Sequence, residues 1–327
     1  MMEDKVSYES ISRAAKRLNG KIVKTPLLQS QYINQKLETN LFLKAENLQT
    51  IGAFKFRGAM NTILQLPDSI KKVVAWSSGN HAQAVAAAAK ITGREATIVM
   101  PKDSPQTKLD GTEFWGANII KYDRNNENRE QIGKSIAQKI NATIIPPFDD
   151  VNVIIGQGTA GIECIEQLEA INVEPDIVLC CCGGGGLIAG ISTAIRAKFQ
   201  KSKIYSVEPE QFDDTKKSLE KKEIVSNLMN HNSICDALLA EKPGNITFEI
   251  NKLNLTSGLA VSDYEALIAM NAAYKHFKIV LEPGGAVALA AAISKKVDIK
   301  NKNVLVIASG GNVDKNIFEN CLKTETI

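Results

Sequence analysis

Short apolar runs alternate with helical patterns through most of this chain. The runs typical of buried strands include 73–76, 96–100, 118–122, 176–182 and 204–207, and the helical patterns include 82–90, 105–115, 125–140, 158–170 and 187–199. A strand, a helix and a second strand in succession form a parallel pair, because the helix carries the chain back to the same end of the sheet. We therefore predict an α/β fold of two open, mainly parallel, twisted sheets with helices on both faces.

The proline pair Pro146-Pro147 separates two such alternating blocks. The chain has 327 residues, of which 44% are hydrophobic, and this length is enough for one large domain or two modest ones. We predict that residues 68–146 form a small domain and that residues 1–67 and 147–327 together form a large domain.

Charge and cysteine usage argue against several classes of protein. The 39 basic and 36 acidic residues form no basic stripe, so nucleic acid is not an expected partner. No apolar run approaches a membrane span and the first residues lack a secretory apolar core, so no membrane contact is expected. Three of the six cysteines are consecutive in an apolar run, which favours a buried strand over disulfides or a zinc site. A cytoplasmic location fits this composition best.

Lys55 lies between Phe54 and Phe56, with glycines at 52 and 58. An ammonium group in an apolar wall loses hydration, so its neutral amine becomes easier to reach. A neutral amine can attack a carbonyl and form a Schiff base. The alternative is a half-exposed edge from which both phenylalanines face inward and Lys55 faces water. The surrounding residues leave both interpretations open.

Four consecutive glycines, Gly183 to Gly186, lie between an apolar run and a helical pattern that begins at Leu187. Each ordered glycine costs roughly 0.5–1 kcal/mol relative to alanine, so four of them require a reason. Main-chain N–H groups at the start of a helix bind anions, and a phosphate is the expected occupant. A tight turn from strand to helix would need only one or two glycines.

A dinucleotide site is the alternative for the same segment. Gly184, Gly186 and Ala189 satisfy a relaxed dinucleotide fingerprint, and Glu208 ends the next strand, where a ribose-binding acid would lie. An NAD-dependent dehydrogenase therefore stays open, although it leaves the Lys55 segment unexplained.

Two further polar glycine loops, 77–81 and 309–312, also follow strands. The first opens a helix and could bind a carboxylate, or it could simply cap the helix through Ser78 or Asn80. Both loops open toward the carboxyl ends of strands, where ligands bind in open α/β sheets. A phosphate cup, a carboxylate cup and an imine-forming amine together indicate pyridoxal-phosphate catalysis on an amino acid.

Several segments, in their order along the chain, are typical of one family. These segments are 53–59, 77–81, 156–159, 183–186, 207–209, 282–285 and 309–314. On them, over nearly its full length, the sequence resembles the serine racemase and serine/threonine dehydratase family of pyridoxal-phosphate enzymes. The resemblance implies pyridoxal-phosphate fold type II, with a large cofactor-binding domain and a small, mobile domain that closes over the substrate.

The resemblance also implies a set of cofactor contacts. Lys55 carries pyridoxal 5′-phosphate as a Schiff base and, once the substrate has freed it, takes the Cα proton. Phe54 packs beside the cofactor ring, Asn80 bonds the 3′-oxygen and Ser309 meets the pyridine nitrogen. The phosphate is held by Gly183, Gly184, Gly185, Gly186 and Leu187.

The same resemblance implies the substrate contacts. The residues that cradle the substrate carboxylate are Ser77, Ser78, Gly79, Asn80 and His81, and Arg129 supports closure of the small domain. Ser78 faces Cα from the side opposite Lys55; racemisation requires two such acid/base groups, whereas elimination needs the lysine and a proton for the β-hydroxyl. We expect dehydration of L-serine or L-threonine to pyruvate or 2-oxobutanoate and ammonia, with serine racemisation as a companion activity.

A divalent cation and a homodimer are further implications of the resemblance. Glu208 and Asp214 ligate the cation together with the main-chain carbonyl of Phe212, and such oxygen ligands suit Mg²⁺, Ca²⁺ or Mn²⁺. Three other interpretations of the function stay open. The protein could be primarily a serine racemase, a threo-3-hydroxyaspartate dehydratase, or a pyridoxal-binding protein without turnover. The last is supported only by Ile51 and Ala237, which depart from the family pattern.

Overall fold

The computed structural model describes residues 5–77, 79–104, 106–124, 126–228 and 231–325. The strands in these ranges are β1 Leu27–Leu28, β2 Asn40–Ala45, β3 Lys72–Trp76, β4 Glu95–Pro101, β5 Asn118–Tyr122, β6 Thr143–Ile144, β7 Ile177–Cys181, β8 Lys203–Pro209, β9 Ser257–Val261 and β10 Asn303–Ala308. These strands form two separate sheets.

The helices in the same ranges are α1 Tyr8–Leu18, α2 Gln31–Leu37, α3 Lys55–Leu64, α4 Asn80–Ile91, α5 Gln106–Phe114, α6 Arg129–Ile140, α7 Val151–Glu169, α8 Gly186–Lys198, α9 Asp214–Lys221, α10 Asn245–Asn254, α11 Asp263–Ala272, α12 Pro283–Ile293 and α13 Lys315–Cys321. Short 3₁₀ turns lie at Glu46–Leu48 and Asp236–Leu238, and a π-helical turn, Ala273–Phe277, extends α11. Helix α11 begins with a capping box, in which the Ser262 hydroxyl accepts from the Glu265 N–H and the Glu265 carboxylate accepts from the Ser262 N–H.

The larger sheet has the strand order β1-β2-β10-β7-β8-β9, and the smaller has the order β5-β4-β3-β6. Every pairing in both sheets is parallel except that of the edge strand β1 with β2. Helix α7 packs against α8, which packs against β7, while α12 packs against β7 and β10. The predicted α/β fold with two mainly parallel sheets and helices on both faces is confirmed.

The four strands of the smaller sheet all lie within residues 68–146, and those of the larger sheet lie outside that range. The division into a small domain of residues 68–146 and a large domain of residues 1–67 and 147–327 stays a prediction, as does movement of the small domain. Helix α3 packs against α4 of the small-sheet region and against α7 of the large-sheet region. The residue that begins α3 is therefore held where the two regions meet.

A buried network of ion pairs holds helix α3 through its residue Arg57. The Arg57 guanidinium donates to Glu46 Oε2 at 2.7 Å through Nε and to Glu163 Oε1 at 2.7 Å through Nη1. Lys44 Nζ donates to Glu163 Oε2 at 2.6 Å, and the Thr25 hydroxyl donates to Glu46 Oε1 at 2.6 Å. Burial opposes ionisation of Glu46, but the charge of Arg57 outweighs it and holds the pKa of this carboxyl below its ordinary value.

All six cysteines are buried and free, and Cys180 and Cys181 lie in the central strand β7. Across the described ranges, no helix combines the length and the apolar character that crossing a bilayer would require.

Candidate active site

One cleft opens between the carboxyl ends of β7 and β10 in the larger sheet and that of β3 in the smaller sheet. It holds about 1040 Å³ of empty space, its open mouth included. The predicted cofactor and substrate residues that line it are Phe54, Lys55, Ser77, Gly79, Asn80, His81, Arg129, Gly183, Gly184, Gly185, Gly186, Leu187 and Ser309. Ser78, the predicted second acid/base group, lies outside the described residues. The structure therefore brings together residues that are up to 255 positions apart in sequence (Phe54 and Ser309).

Lys55 begins helix α3, and its amine lies in the cleft. Its Nζ donates to the Pro147 carbonyl at 2.5 Å and lies 5.3 Å from the centre of the Phe54 ring. Burial lowers the pKa of Lys55 to about 8 from its ordinary 10.5. Lys55 is half-buried and begins a helix, so it does not lie on a strand edge. Its lowered pKa leaves a larger fraction of the amine neutral at pH 7 than in an ordinary lysine.

The turn before Lys55 is joined to the loop that follows β10. Ala53 forms an isolated antiparallel bridge with Gly310, and the Phe54 N–H donates to the Ser309 carbonyl at 3.0 Å. These main-chain bonds fix the positions of Lys55 and Ser309 relative to each other. Ser309 is buried and lines the same cleft as Lys55.

The tetraglycine loop, residues 183–186, connects β7 to the first turn of α8. Gly185 has φ +91°, which disfavours any side chain, and a Cβ on Gly184 would overlap the ring of Phe148. The Thr247 hydroxyl donates a hydrogen bond to the Gly184 carbonyl at 2.7 Å. In the described chain, the N–H groups of Gly184 and Gly185 have no main-chain acceptor, so they remain available to an anion.

The first turn of α4 forms the opposite side of the cleft. Gly79 is the N-cap of this helix, and its N–H donates to the Ser77 hydroxyl at 3.1 Å. His81 Nε2 lies 2.9 Å from the Ile145 carbonyl, and burial, followed by the charge of Lys55, lowers the pKa of His81 to about 3. The imidazole is therefore neutral with its proton on Nε2, so His81 could donate to a carboxylate only through its main-chain N–H.

Two charged residues of the cleft wall had no role in the sequence interpretation. Lys108 of α5 is almost fully buried and forms an ion pair with Asp236, whose side chain is 41% exposed. Glu282, immediately before α12, is buried and accepts from Asn80 Nδ2 at 2.6 Å. The only local signal was for Glu282, an acid that stands before Pro-Gly-Gly at a helix start. Arg129 begins α6 and lies exposed at the cleft.

The predicted metal ligands lie away from the cleft, around the turn between β8 and α9. The Glu208 carboxylate accepts from the N–H groups of Thr215 and Lys216, both at 2.8 Å, and Asp214 Oδ1 accepts from Asn227 Nδ2 at 2.5 Å. Burial raises the pKa of Glu208 well above its ordinary value and that of Asp214 to about 7. Glu208 does not line the cleft that the tetraglycine loop lines, so the dinucleotide interpretation of this residue does not fit.

Asp214 Oδ2 is buried and has no hydrogen-bond partner among the described residues. The same residues hold no group of three or more His, Cys, Asp or Glu side chains placed to bind a metal ion. A cation here would therefore rest on two carboxylates and the Phe212 carbonyl, a donor set that suits a hard divalent ion.

Comparisons with known proteins agree with this geometry. Residues 18–310 match the family model described as pyridoxal-phosphate dependent enzyme. The chain is 40% identical over 310 residues to a serine racemase of Schizosaccharomyces pombe, and 40% identical over 310 residues to an L-threo-3-hydroxyaspartate ammonia-lyase of Saccharomyces cerevisiae. Both alignments cover 94% of this chain and 94% of the relative. A solved threonine deaminase of T.th. superposes with a TM-score of 0.89 at 37% identity, covering 94% of this chain and 99% of that one.

The cleft also fits the cofactor that this family uses. Its two sides offer an amine of lowered pKa and main-chain N–H groups without acceptors at a helix start. These are the groups that an aldehyde and a phosphate on one ring require. Fold, cleft and relatives therefore agree that this chain belongs to the family of pyridoxal-phosphate-dependent enzymes, with fold type II.

Proposed function

We propose that this enzyme dehydrates L-serine and L-threonine to pyruvate and 2-oxobutanoate, releasing ammonia, and that it also racemises serine. The observation that carries the proposal is the position of the Lys55 amine, which lies in one cleft with the start of α4 and the tetraglycine loop. The relatives named above act on serine, on a hydroxylated aspartate and on threonine according to their descriptions, which supports a β-hydroxy amino acid as the substrate.

Bound pyridoxal phosphate supplies the electron sink that makes the substrate Cα proton acidic. The main-chain N–H groups at the start of α4 hold the substrate carboxylate, aided by the positive end of the helix dipole. Lys55 Nζ takes the Cα proton, and its lowered pKa keeps a larger fraction of the amine neutral at pH 7. The Ser309 hydroxyl would be the partner of the pyridine nitrogen and, unlike an acid, would not hold that nitrogen protonated. Weaker electron withdrawal suits elimination or racemisation.

The Ser78→Ala variant should separate the two activities. If Ser78 supplies the proton on the face opposite Lys55, its loss should lower racemisation of L-serine by about 10²–10⁴-fold and leave pyruvate formation within a few-fold of wild type. The D-serine and pyruvate formed by one enzyme sample measure both rates together. An equal decrease in both would contradict the role of Ser78 as a second acid/base group.

Dehydration of threo-3-hydroxyaspartate is the second candidate activity. The buried ammonium of Lys108 lines the cleft and lies against Gly79, in the loop proposed to hold the α-carboxylate. A second carboxylate on the substrate would find a cation there if Asp236 turned toward solvent. The relative from Saccharomyces cerevisiae is an L-threo-3-hydroxyaspartate ammonia-lyase, which supports this candidate.

Product analysis with L-serine, L-threonine and L-threo-3-hydroxyaspartate tests the proposed function directly. Keto acid and ammonia released from serine and threonine at higher kcat/KM than from hydroxyaspartate would support it. A preference for hydroxyaspartate would favour the second candidate. Chiral analysis of the remaining serine shows whether racemisation is the main activity, and no turnover of any of the three would contradict both candidates.

The proposal includes a divalent cation held by Glu208, Asp214 and the Phe212 carbonyl. Its support is the unpartnered Oδ2 of Asp214 and the proximity of two buried carboxylates that oppose each other's ionisation. Because a ligand that binds only the folded state stabilises it, millimolar Mg²⁺ or Ca²⁺ should raise the unfolding temperature of the wild type. The Asp214→Asn variant should lose this increase. An equal increase in both proteins would indicate general salt stabilisation and contradict the site.

We also propose a homodimer in the cytoplasm. The family resemblance supports the dimer, and the six buried, free cysteines agree with a reducing compartment. A solution mass of 35.5 kDa, that of a single chain, would contradict the dimer.

A further inference from the structure

Glu282 lines the cleft and carries one buried oxygen that no described residue uses. The side chain is 2% exposed, and its Oε2 has no hydrogen-bond partner in the described part of the chain. Burying an unpaired carboxylate oxygen is costly, so such an atom is expected to hold a proton or to meet a ligand. The residue also lies against Gly310, because a Cβ on that glycine would overlap Glu282 Oε1.

The other oxygen of Glu282 ends a chain of hydrogen bonds through Asn80. Asn312 Nδ2 donates to the Ile51 carbonyl at 2.8 Å and to Asn80 Oδ1 at 2.8 Å, and Asn80 Nδ2 donates to Glu282 Oε1 at 2.6 Å. The Asn80 amide is thus oriented from both ends. An amide nitrogen carries two N–H donors, so Asn80 keeps one for a ligand in the cleft.

Among the described residues, four titratable groups interact electrostatically with Glu282. They are Lys108 of α5, Asp236 of the 3₁₀ turn Asp236–Leu238, Cys181 at the end of β7 and Cys235. Burial raises the pKa of Glu282 to about 7, with Asp236 adding to the increase and Lys108 opposing it. The ordinary value is 4.5, so between these two values the folded protein holds a proton on Glu282 that the unfolded chain lacks.

We propose that Glu282 is a positioning residue for the 3′-oxygen of the cofactor: its Oε1 orients the Asn80 amide toward that oxygen, and its Oε2 determines whether a proton is held beside it. Below the pKa of Glu282, Oε2 donates a hydrogen bond into the cleft; above this pKa, it only accepts. The inference rests on the proposed contact of Asn80 with the 3′-oxygen.

A pH titration of the visible absorption band of the loaded enzyme, without substrate, tests this inference. The wild-type band should change with a midpoint within about one pH unit of 7, because a proton beside the 3′-oxygen alters the electronic state of the ring. Glu282→Gln keeps an oxygen for Asn80 and fills the same space but cannot titrate. Its band should not change between pH 6 and 8, while its cofactor content stays near that of the wild type.

Two neighbouring variants keep Glu282 and should shift the midpoint in opposite directions. Asp236→Asn removes a like charge and should lower it, whereas Lys108→Met removes an opposite charge and should raise it. These shifts decide the question even if Glu282→Gln does not hold cofactor. An unchanged titration in Glu282→Gln, or no shift in either neighbour variant, would overturn the inference. A protein that titrates as expected but releases no keto acid would instead contradict only the proposed function.

Discussion

Replacing Lys55 by alanine should abolish borohydride-dependent fixation of pyridoxal phosphate and lower kcat for serine by at least about 10²–10⁴-fold, the range for loss of a positioned acid/base group. Lys55 is the residue whose amine lies in the cleft between the helix α4 turn and the tetraglycine loop, with a pKa lowered to about 8. Because it is proposed both to hold the cofactor and to take the Cα proton, both functions should fail together. Absorbance after reduction and dialysis measures the first, and keto acid release measures the second.

Lys108 provides the matched control, since it is the other lysine among the residues that line the described cleft. Lys108→Ala should keep cofactor that borohydride fixes to the protein, even if its substrate affinity falls through loss of the ion pair with Asp236. Full fixation in Lys55→Ala together with loss of fixation in Lys108→Ala would show that Lys108, and not Lys55, holds the cofactor. Fixation in both variants at full occupancy would show that neither amine is the attachment point.

The cofactor loops could be predicted because their signals are local. Each consists of a short apolar run, a group of glycines or small polar residues, and a helical pattern, as at 177–187 and 73–82. Parallel strands place the carboxyl ends of such runs at one edge of a sheet. Predicting strands and glycines was therefore enough to predict that Lys55, the tetraglycine loop and Ser309 meet, although the distances between them were not predictable.

Helix α7 shows how tertiary packing overrides a local pattern. It begins at Val151 rather than near residue 158, because glycines that would weaken an isolated helix allow close packing here. A Cβ on Gly156 would lie 2.7 Å from the Arg57 carbonyl, and one on Gly158 would lie 3.0 Å from the Gly190 carbonyl. Helices α3 and α8 each lie too close to α7 for any residue larger than glycine at positions 156 and 158. No local sequence pattern shows these long-range contacts.

Helix α10 lies in the polar stretch 209–256, which contains none of the helical patterns named in the sequence analysis. Its first N–H groups are capped by Asp149, which accepts from Asn245 at 2.9 Å and from Ile246 at 2.8 Å. The capping residue is 96 positions away from the first of them, so the usual Ser, Thr, Asp or Asn signal beside the helix start is absent. Lys108 was missed for the same reason, since long-range contacts alone place its charge in the cleft.

Removing Arg57 should lower the free energy of unfolding by about 3–5 kcal/mol, the cost of leaving a buried charge without its partner. Arg57 and Glu46 have no exposed side-chain surface. In Arg57→Met, Glu46 loses its bidentate cation and keeps the Thr25 hydroxyl as a donor. Denaturant unfolding of the cofactor-free protein would measure the loss. Lys24→Met, which breaks the exposed pair with Glu166, should leave the midpoint almost unchanged.

The double variant Glu46→Leu/Arg57→Met distinguishes stabilisation by the pair from the cost of breaking it. Because both charges are removed, no buried ion lacks a partner, and the double variant should be more stable than Arg57→Met alone. If it is instead as unstable as the sum of the single variants, the two residues do not act as a pair, and Glu163 would be the main partner of Arg57. Since α3 begins at Lys55, two residues before Arg57, the more stable double variant should also hold more cofactor than Arg57→Met.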